Sequence, residues 1–163
     1  MALNSLFGVT LLYGMVTKFA SIRAYVFIDG ITDISKNLRH IKKNEIETIF
    51  SRWSEFVKSD GHSDYQKSFE ELIESDTSEK GTLIVIGDAR NNYRNISENL
   101  IVNLSNKYKK IFWINPEQKK YWNTGDSQMK KFQEINFKTS EVRNYKQLKS
   151  FIKELDFKKV LTS

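Results

Sequence analysis

Cysteine is absent from the 163 residues, proline occurs once, and histidine occurs twice, at His40 and His62. Without cysteine there is no disulfide framework, no thiolate zinc site and no cysteine nucleophile. Two histidines are too few for an imidazole-rich metal centre, so any metal would be a hard cation held by oxygen. Glycine is sparse, and Gly30, Gly61, Gly81 and Gly87 stand isolated. No GxGxxG or GxxxxGK[ST] occurs, which leaves a nucleotide-phosphate cradle without support. Long apolar runs are missing as well. The N-terminal stretch MALNSLFGVTLLYGMVTKFASIR places its first positive charge, Lys18, after the apolar core rather than before it. That order is wrong for a secretory signal, and the run falls short of the roughly 20 residues that span a bilayer. The stretch predicts a buried helix over 3–20 in a cytoplasmic protein with no membrane association.

The composition is that of a globular chain, 39% hydrophobic and 28% charged, and its length suits one domain over 1–163. Charge is unevenly spread. Residues 1–104 hold 12 Lys and Arg against 14 Asp and Glu, and residues 105–163 hold 14 against 6. A basic half favours nucleic acid or an acidic protein surface. Its lysines come in separate pairs (109–110, 119–120, 130–131, 158–159), which reads first as a solvated surface. Tyr121 and Trp122 beside Lys119 and Lys120 form the basic–aromatic cluster that a nucleic-acid-binding alternative would use. The bland expectation is that both rings pack back on the sheet edge.

Hydrophobic periodicity supplies the elements. RAYVFID, 23–29, reads as a strand buried on both faces, followed by an Asp29-Gly30 turn and a hairpin partner over 31–35. Asp29 fits that turn better than a catalytic role. Ile46, Ile49, Phe50, Trp53 and Phe56 fall at helical spacing behind Asn44, a capping residue. A helix follows over 65–75, then TLIVIGD, 82–88, as a second buried strand. Next come a helix over 96–107 and KIFWIN, 110–115, a third strand stopped by Pro116. A short helix near 127–133, capped by Asp126 or Ser127, an edge strand within 136–142 and a helix over 145–155 complete the chain. Helices alternating with buried strands predict an α/β, doubly wound, mainly parallel Rossmann-like sheet, with its chemistry beyond the strands' carboxyl ends.

No base–nucleophile pair is visible, so an enzyme is not expected. FIDGIT loosely resembles the first motif of haloacid-dehalogenase phosphotransferases, but Phe27 stands where the nucleophilic aspartate belongs. The remaining constellation is an oxygen-ligand metal site: Ser63, beginning a helix, and Asp88, ending a strand. A hydroxyl and a carboxylate on neighbouring loops suit Mg²⁺. On spacing alone they also fit plain structural roles, with Ser63 or Asp64 capping the helix and Asp88 accepting turn amides.

Four stretches carry a family resemblance over nearly the whole chain. They are FIDGITDIS, GHSDY, LIVIGDARNNYR and IFWINPEQKKYWNTGDSQMKKF, which resemble the FVF strand with its hairpin, the GGTDY segment, the GDGRNN strand end and the W-L-N-P-E…W…G-D-S-x-M run of the CoxE-like branch of von Willebrand factor A (VWA) domains. The resemblance implies a protein–protein interaction module whose sheet edge carries a metal-ion-dependent adhesion site. It also implies a protein partner, with the branch's MoxR-type AAA+ ATPases the expected company, in protein maturation or remodelling. The family's second-loop threonine falls on Ser63 and its third-loop aspartate on Asp88. His62 stands where the family has glycine and is expected to face solvent.

The family's D-x-S-x-S loop has no match, and Met1 stands where that motif's methionine would be. The first strand and two or three metal ligands are therefore expected on the N-terminal side of Met1, with Mg²⁺ or Mn²⁺ binding weak or absent here. In the family that strand lies between those matched by 23–29 and 82–88. Its removal implies direct pairing of these two, donation of a strand by an upstream polypeptide or a second copy, or a start codon internal to a longer frame.

Overall fold

The computed structural model describes residues 8, 11, 14–15, 21–27, 29–40, 45, 63–78, 80–135 and 137–155. The helix expected over 3–20 lies mostly outside the described residues, although Gly8, Leu11, Gly14 and Met15 are helical. The expected helix behind Asn44 and the loop holding His62 also lie outside them, Glu45 excepted.

The chain opens with β1 (Tyr25–Phe27), β2 (Ile31–Asp33) and α1 (Ser35–His40), and continues with α2 (Tyr65–Ser75) and β3 (Thr82–Ile86). Then come α3 (Glu98–Lys107), β4 (Lys110–Asn115), a 3₁₀ turn at Lys119–Tyr121, α4 (Met129–Glu134), β5 (Lys138–Glu141) and α5 (Tyr145–Glu154). β1 and β2 form an antiparallel hairpin around Asp29-Gly30, with Phe27 opposite Ile31. Gly30 has φ +121, a backbone state that favours glycine. β3, β4 and β5 form a separate parallel sheet in the order β3-β4-β5. Among the described residues β1 and β3 do not pair, unlike the direct closure considered above.

Side chains of β4 alternate between two cores. Ile111 and Trp113 face one that α2, α3 and α4 cover with Phe69, Leu72, Leu100, Ile101, Leu104, Met129 and Phe132. Phe112 and Ile114 face the other, built from Leu11, Val142, Phe151 and Leu155. A strand apolar on both faces, as over Ile111–Ile114, is what a sheet covered on both faces requires. Trp113 is the centre of the first core: its ring centroid lies 4.3 Å from that of Phe132, and its indole N–H donates to the Gly87 carbonyl at 2.7 Å.

Capping sets the helix starts. Asp64 accepts from the Lys67 amide, Ser97 from Leu100 and Asn144 from Gln147, each satisfying an amide that a helix start leaves free. α4 departs from expectation, because Gln128 is its cap and makes no side-chain cap bond. Asp126 is held instead by Arg90, while the Ser127 hydroxyl donates to the Trp122 carbonyl and also accepts from the Met129 amide, the first of the helix, at 3.4 Å. α1 was not foreseen; the Asp33 carboxylate accepts from the Ser35 amide at 2.8 Å and starts it.

Candidate interaction site

Beyond the carboxyl ends of β3 and β4, the loop from Asp88 to Arg94 meets the start of α2 and the segment 115–128. Asp88 leaves β3 with its carboxylate accepting from the Arg90 amide at 3.0 Å, the turn role that its position allowed. The Asn115 side-chain amide donates to the Asp88 carbonyl at 3.2 Å and so fixes the loop to the end of β4. Ala89, Asn92 and Tyr93 then adopt φ of 62, 50 and 60. Asparagine tolerates this left-handed state; alanine and tyrosine hold it only under constraint from their surroundings. Ala89 stands at the glycine of the resembling GDGRNN motif, and that backbone state accounts for a glycine there.

Two asparagines join this loop to Ser63. Asn91, fully buried, accepts from the Tyr65 amide at 2.8 Å and donates to the Arg94 carbonyl at 3.0 Å. The Asn92 side chain donates to the Ser63 carbonyl at 3.1 Å. Arg94 pairs with Asp64 at 2.8 Å, and the Ala89 amide donates to the Tyr65 hydroxyl at 3.3 Å. A Cβ at Gly87 would collide with that same hydroxyl, which is why glycine ends β3. Burial, reinforced by the negative charge of Asp88, pushes the Tyr65 phenol far above its ordinary pKa, so it stays neutral. The loops bearing Ser63 and Asp88 are thus pinned together, although the two side chains share no hydrogen bond among the described residues.

The remaining acids of this face are committed elsewhere. The Arg90 guanidinium donates to both Glu117 oxygens, at 2.8 and 2.9 Å through one nitrogen, and to Asp126 at 2.8 Å. Burial alone would raise the Asp126 carboxyl, but the Arg90 hydrogen bond and the Asn92 amide outweigh it and hold the carboxyl below its usual range. Among the described residues no group of three or more His, Cys, Asp or Glu is placed to hold a metal. Ser63 and Asp88 fit a hard cation in the kind of donor they offer and fall short in number, since an octahedral ion takes six oxygens.

Sequence reasoning missed Arg90, Asn91 and Glu117, the residues that organise the face. The adjacent polar run ARNN was the available signal, but spacing does not reveal which acids an arginine reaches. The basic–aromatic cluster is also altered. Trp122 is 2% exposed, with its indole N–H donating to the Glu117 carbonyl at 2.9 Å, and only Tyr121 remains outward.

A fold with helices on both faces of a parallel sheet and a loop site beyond its carboxyl ends defines a Rossmann-like domain of the VWA kind. The family model for VWA domain containing CoxE-like protein matches residues 1–151. The chain belongs to that family, whose VWA domains are generally interaction modules. No curated protein and no solved structure matches it. No helix among the described residues is long and apolar enough to cross a membrane.

Proposed function

We propose that this chain is a cytoplasmic protein–protein interaction module, not an enzyme, acting with a MoxR-type AAA+ ATPase in the maturation or remodelling of other proteins. The observation that carries the reading is the family match over 1–151, combined with loops that hold Ser63 and Asp88 on one face. A divalent ion, Mg²⁺ or Mn²⁺, would draw on the Ser63 hydroxyl and the Asp88 carboxylate, and a partner carboxylate would supply a further oxygen. With two side-chain donors from the described residues, affinity for the free ion is expected near or weaker than about millimolar. Nucleic-acid binding is the weaker reading, because burial of Trp122 removes one of the rings that would stack on bases.

The test is a pull-down between the full chain and the MoxR-type ATPase encoded in the same genome, with and without chelator. The reading expects capture that falls on chelation and in Asp88→Ala. Capture indifferent to both removes the metal from the mechanism, and absence of capture removes the ATPase. Calorimetric titration with Mg²⁺ reads the site separately: micromolar binding lost in Asp88→Ala would contradict the expected weak affinity.

A further inference from the structure

Tyr93 adds strain to the fold without a contact to offset it. The Arg94 amide donates to the Asn91 carbonyl at 2.8 Å, closing a turn whose two central residues, Asn92 and Tyr93, both have positive φ. A turn of that pattern favours asparagine followed by glycine, and a tyrosine in the second place is sterically strained. Its side chain is 83% exposed and, among the described residues, makes no hydrogen bond or ring contact. The turn is nevertheless firmly held. Buried Asn91 donates to the Arg94 carbonyl at 3.0 Å, and the Asn92 amide donates to the Asp126 carboxylate at 3.0 Å. A clamped turn thus presents an aromatic ring to solvent. A ring fixed before contact loses little entropy on binding, which suits an interaction anchor.

Two more tyrosines stand at the same end of the sheet. Among the described residues the exposed large apolar or aromatic side chains are Tyr93, Val102, Tyr121 and Tyr145, the last 78% exposed. The three tyrosines follow β3, β4 and β5 in turn, so each loop beyond the carboxyl ends carries one. The loops are joined to one another. Arg90 bonds Glu117 and Asp126 between the first and second, and the Glu141 carboxylate accepts from the Lys119 amide at 2.9 Å between the second and third. Exposed lysines adjoin the rings. The Lys120 ammonium lies 4.8 Å from the Tyr121 ring centroid, and Lys146 follows Tyr145. The acids beside them, Glu117, Asp126 and Glu141, are each paired with an arginine. Lys119, Lys120 and Lys146 have no ion pair among the described residues. Beside Tyr121 and Tyr145 the exposed charge left unpaired is therefore positive.

We propose that this row of tyrosines and lysines is the docking surface for an extended acidic segment of a partner protein, bound without metal. The inference rests on the interaction-module reading and supplies the chemistry of the partner, using neither Ser63 nor Asp88. Carboxylates of the segment neutralise Lys119, Lys120 and Lys146, and its apolar side chains cover the rings of Tyr93, Tyr121 and Tyr145. Neighbouring strands lie about 4.8 Å apart, so the three loops span roughly 10 Å at their base, which about three extended residues cover. Single-stranded nucleic acid suits the surface less. The Lys120 ammonium already covers one face of Tyr121 on which a base would stack, whereas a carboxylate pairs with that ammonium where it stands.

The probe is a fluorescein-labelled peptide repeating Glu-Glu-Leu-Leu, about eight residues long, which shows carboxylates and apolar side chains on both faces when extended. Anisotropy with the full chain, in the presence of chelator, should report binding that weakens as salt rises. Replacing the peptide's glutamates by glutamine should weaken it at least about tenfold. Tyr93→Gly should weaken peptide binding about tenfold, and with the strain relieved its thermal midpoint should equal or exceed that of the wild type. Tyr145→Ala and Lys120→Glu, on the other two loops, should each weaken binding about fivefold or more with the circular dichroism spectrum retained. No binding, equal binding of the glutamine peptide, binding indifferent to Tyr93→Gly, or a lowered midpoint in that variant overturns the proposal. So does tighter binding of a labelled oligothymidylate than of the peptide, which would mark a nucleic-acid surface. Capture of the ATPase without peptide binding would leave the interaction module standing and overturn this surface alone.

Discussion

β3 and β4 share a signature, TLIVI and KIFWIN, apolar over nearly their whole length, yet they occupy different places. β4 sits between two strands, with Trp113 and Ile114 fully buried; among the described residues β3 has a strand on one side only and is half-buried. The difference teaches that an apolar run records the covering of both sheet faces, not the presence of two lateral neighbours. Faces are covered by helices, whose contribution reads out in side-chain chemistry. Lateral neighbours bond through backbone, which is the same at every residue. The second edge, β5, shows the opposite solution, with charge and hydroxyl at the boundary.

The largest expected effect separates the two strands directly. Trp113→Ala should lower the unfolding free energy by about 3–5 kcal/mol, because it empties a fully buried site against Phe132 and Phe69. Leu83→Ala, on the half-buried strand, should lose only about 1–2 kcal/mol. Urea denaturation measures both, and equal losses would mean that β3 is as enclosed as β4.

Asp76 comes next, because it joins Arg23, just before β1, to Tyr108, just before β4. Asp76→Asn should remove about 1–3 kcal/mol at neutral pH, since a buried hydrogen-bonded acceptor loses its charge. Burial alone would raise this carboxyl, but the bonds from Tyr108 and Ser78 and the charge of Arg23 hold it below its ordinary value in the folded protein. A carboxyl depressed on folding contributes stability that is complete above its unfolded pKa, about 3.9. That contribution is lost as pH falls through the folded value. The wild type should therefore weaken below about pH 4, and Asp76→Asn should show a flatter profile there. A wild-type profile as flat as the variant's would leave the two strand starts joined by packing alone.

The smallest effect concerns the loop face. Arg90→Lys keeps the charge and loses the fork that engages Glu117 and Asp126 together. The pairs are partly exposed, so the loss should be about 1 kcal/mol or less in thermal unfolding. A larger loss would place this ion-pair node among the contacts that hold the sheet.

Much of the fold was legible locally. The helix over 65–75 and the strand over 110–115 match the observed α2 and β4, because a capping aspartate, helical spacing and a terminating Pro116 are local signals. The helix expected over 96–107 begins at Glu98, since Ser97 takes the cap and leaves Ile96 in the core outside the helix. Of the two residues expected to cap α4, Ser127 accepts from the Met129 amide, whereas Asp126 has a stronger partner, Arg90, 36 residues away in sequence. Of the candidate site, Ser63 and Asp88 were singled out by their places at a helix start and a strand end and by motif resemblance; the polar run ARNN marked Asn91 and Asn92 without revealing the clamp they form. Asparagine is frequent in turns for local reasons, so its presence does not announce contacts made across loops.

By itself the sequence determined most of the described strands and helices, α1 excepted, with their order, the apolar demand of both sheet faces and the motifs that mark the family. Periodicity, caps and turn residues act within a few positions and survive in any context. Tertiary structure alone decided that, among the described residues, β1 and β3 belong to separate sheets, that Arg90 consumes Glu117 and Asp126, and that Trp122 is buried. Those outcomes depend on which distant groups become neighbours, and that is settled only when packing brings the backbone ladders and side chains into one place.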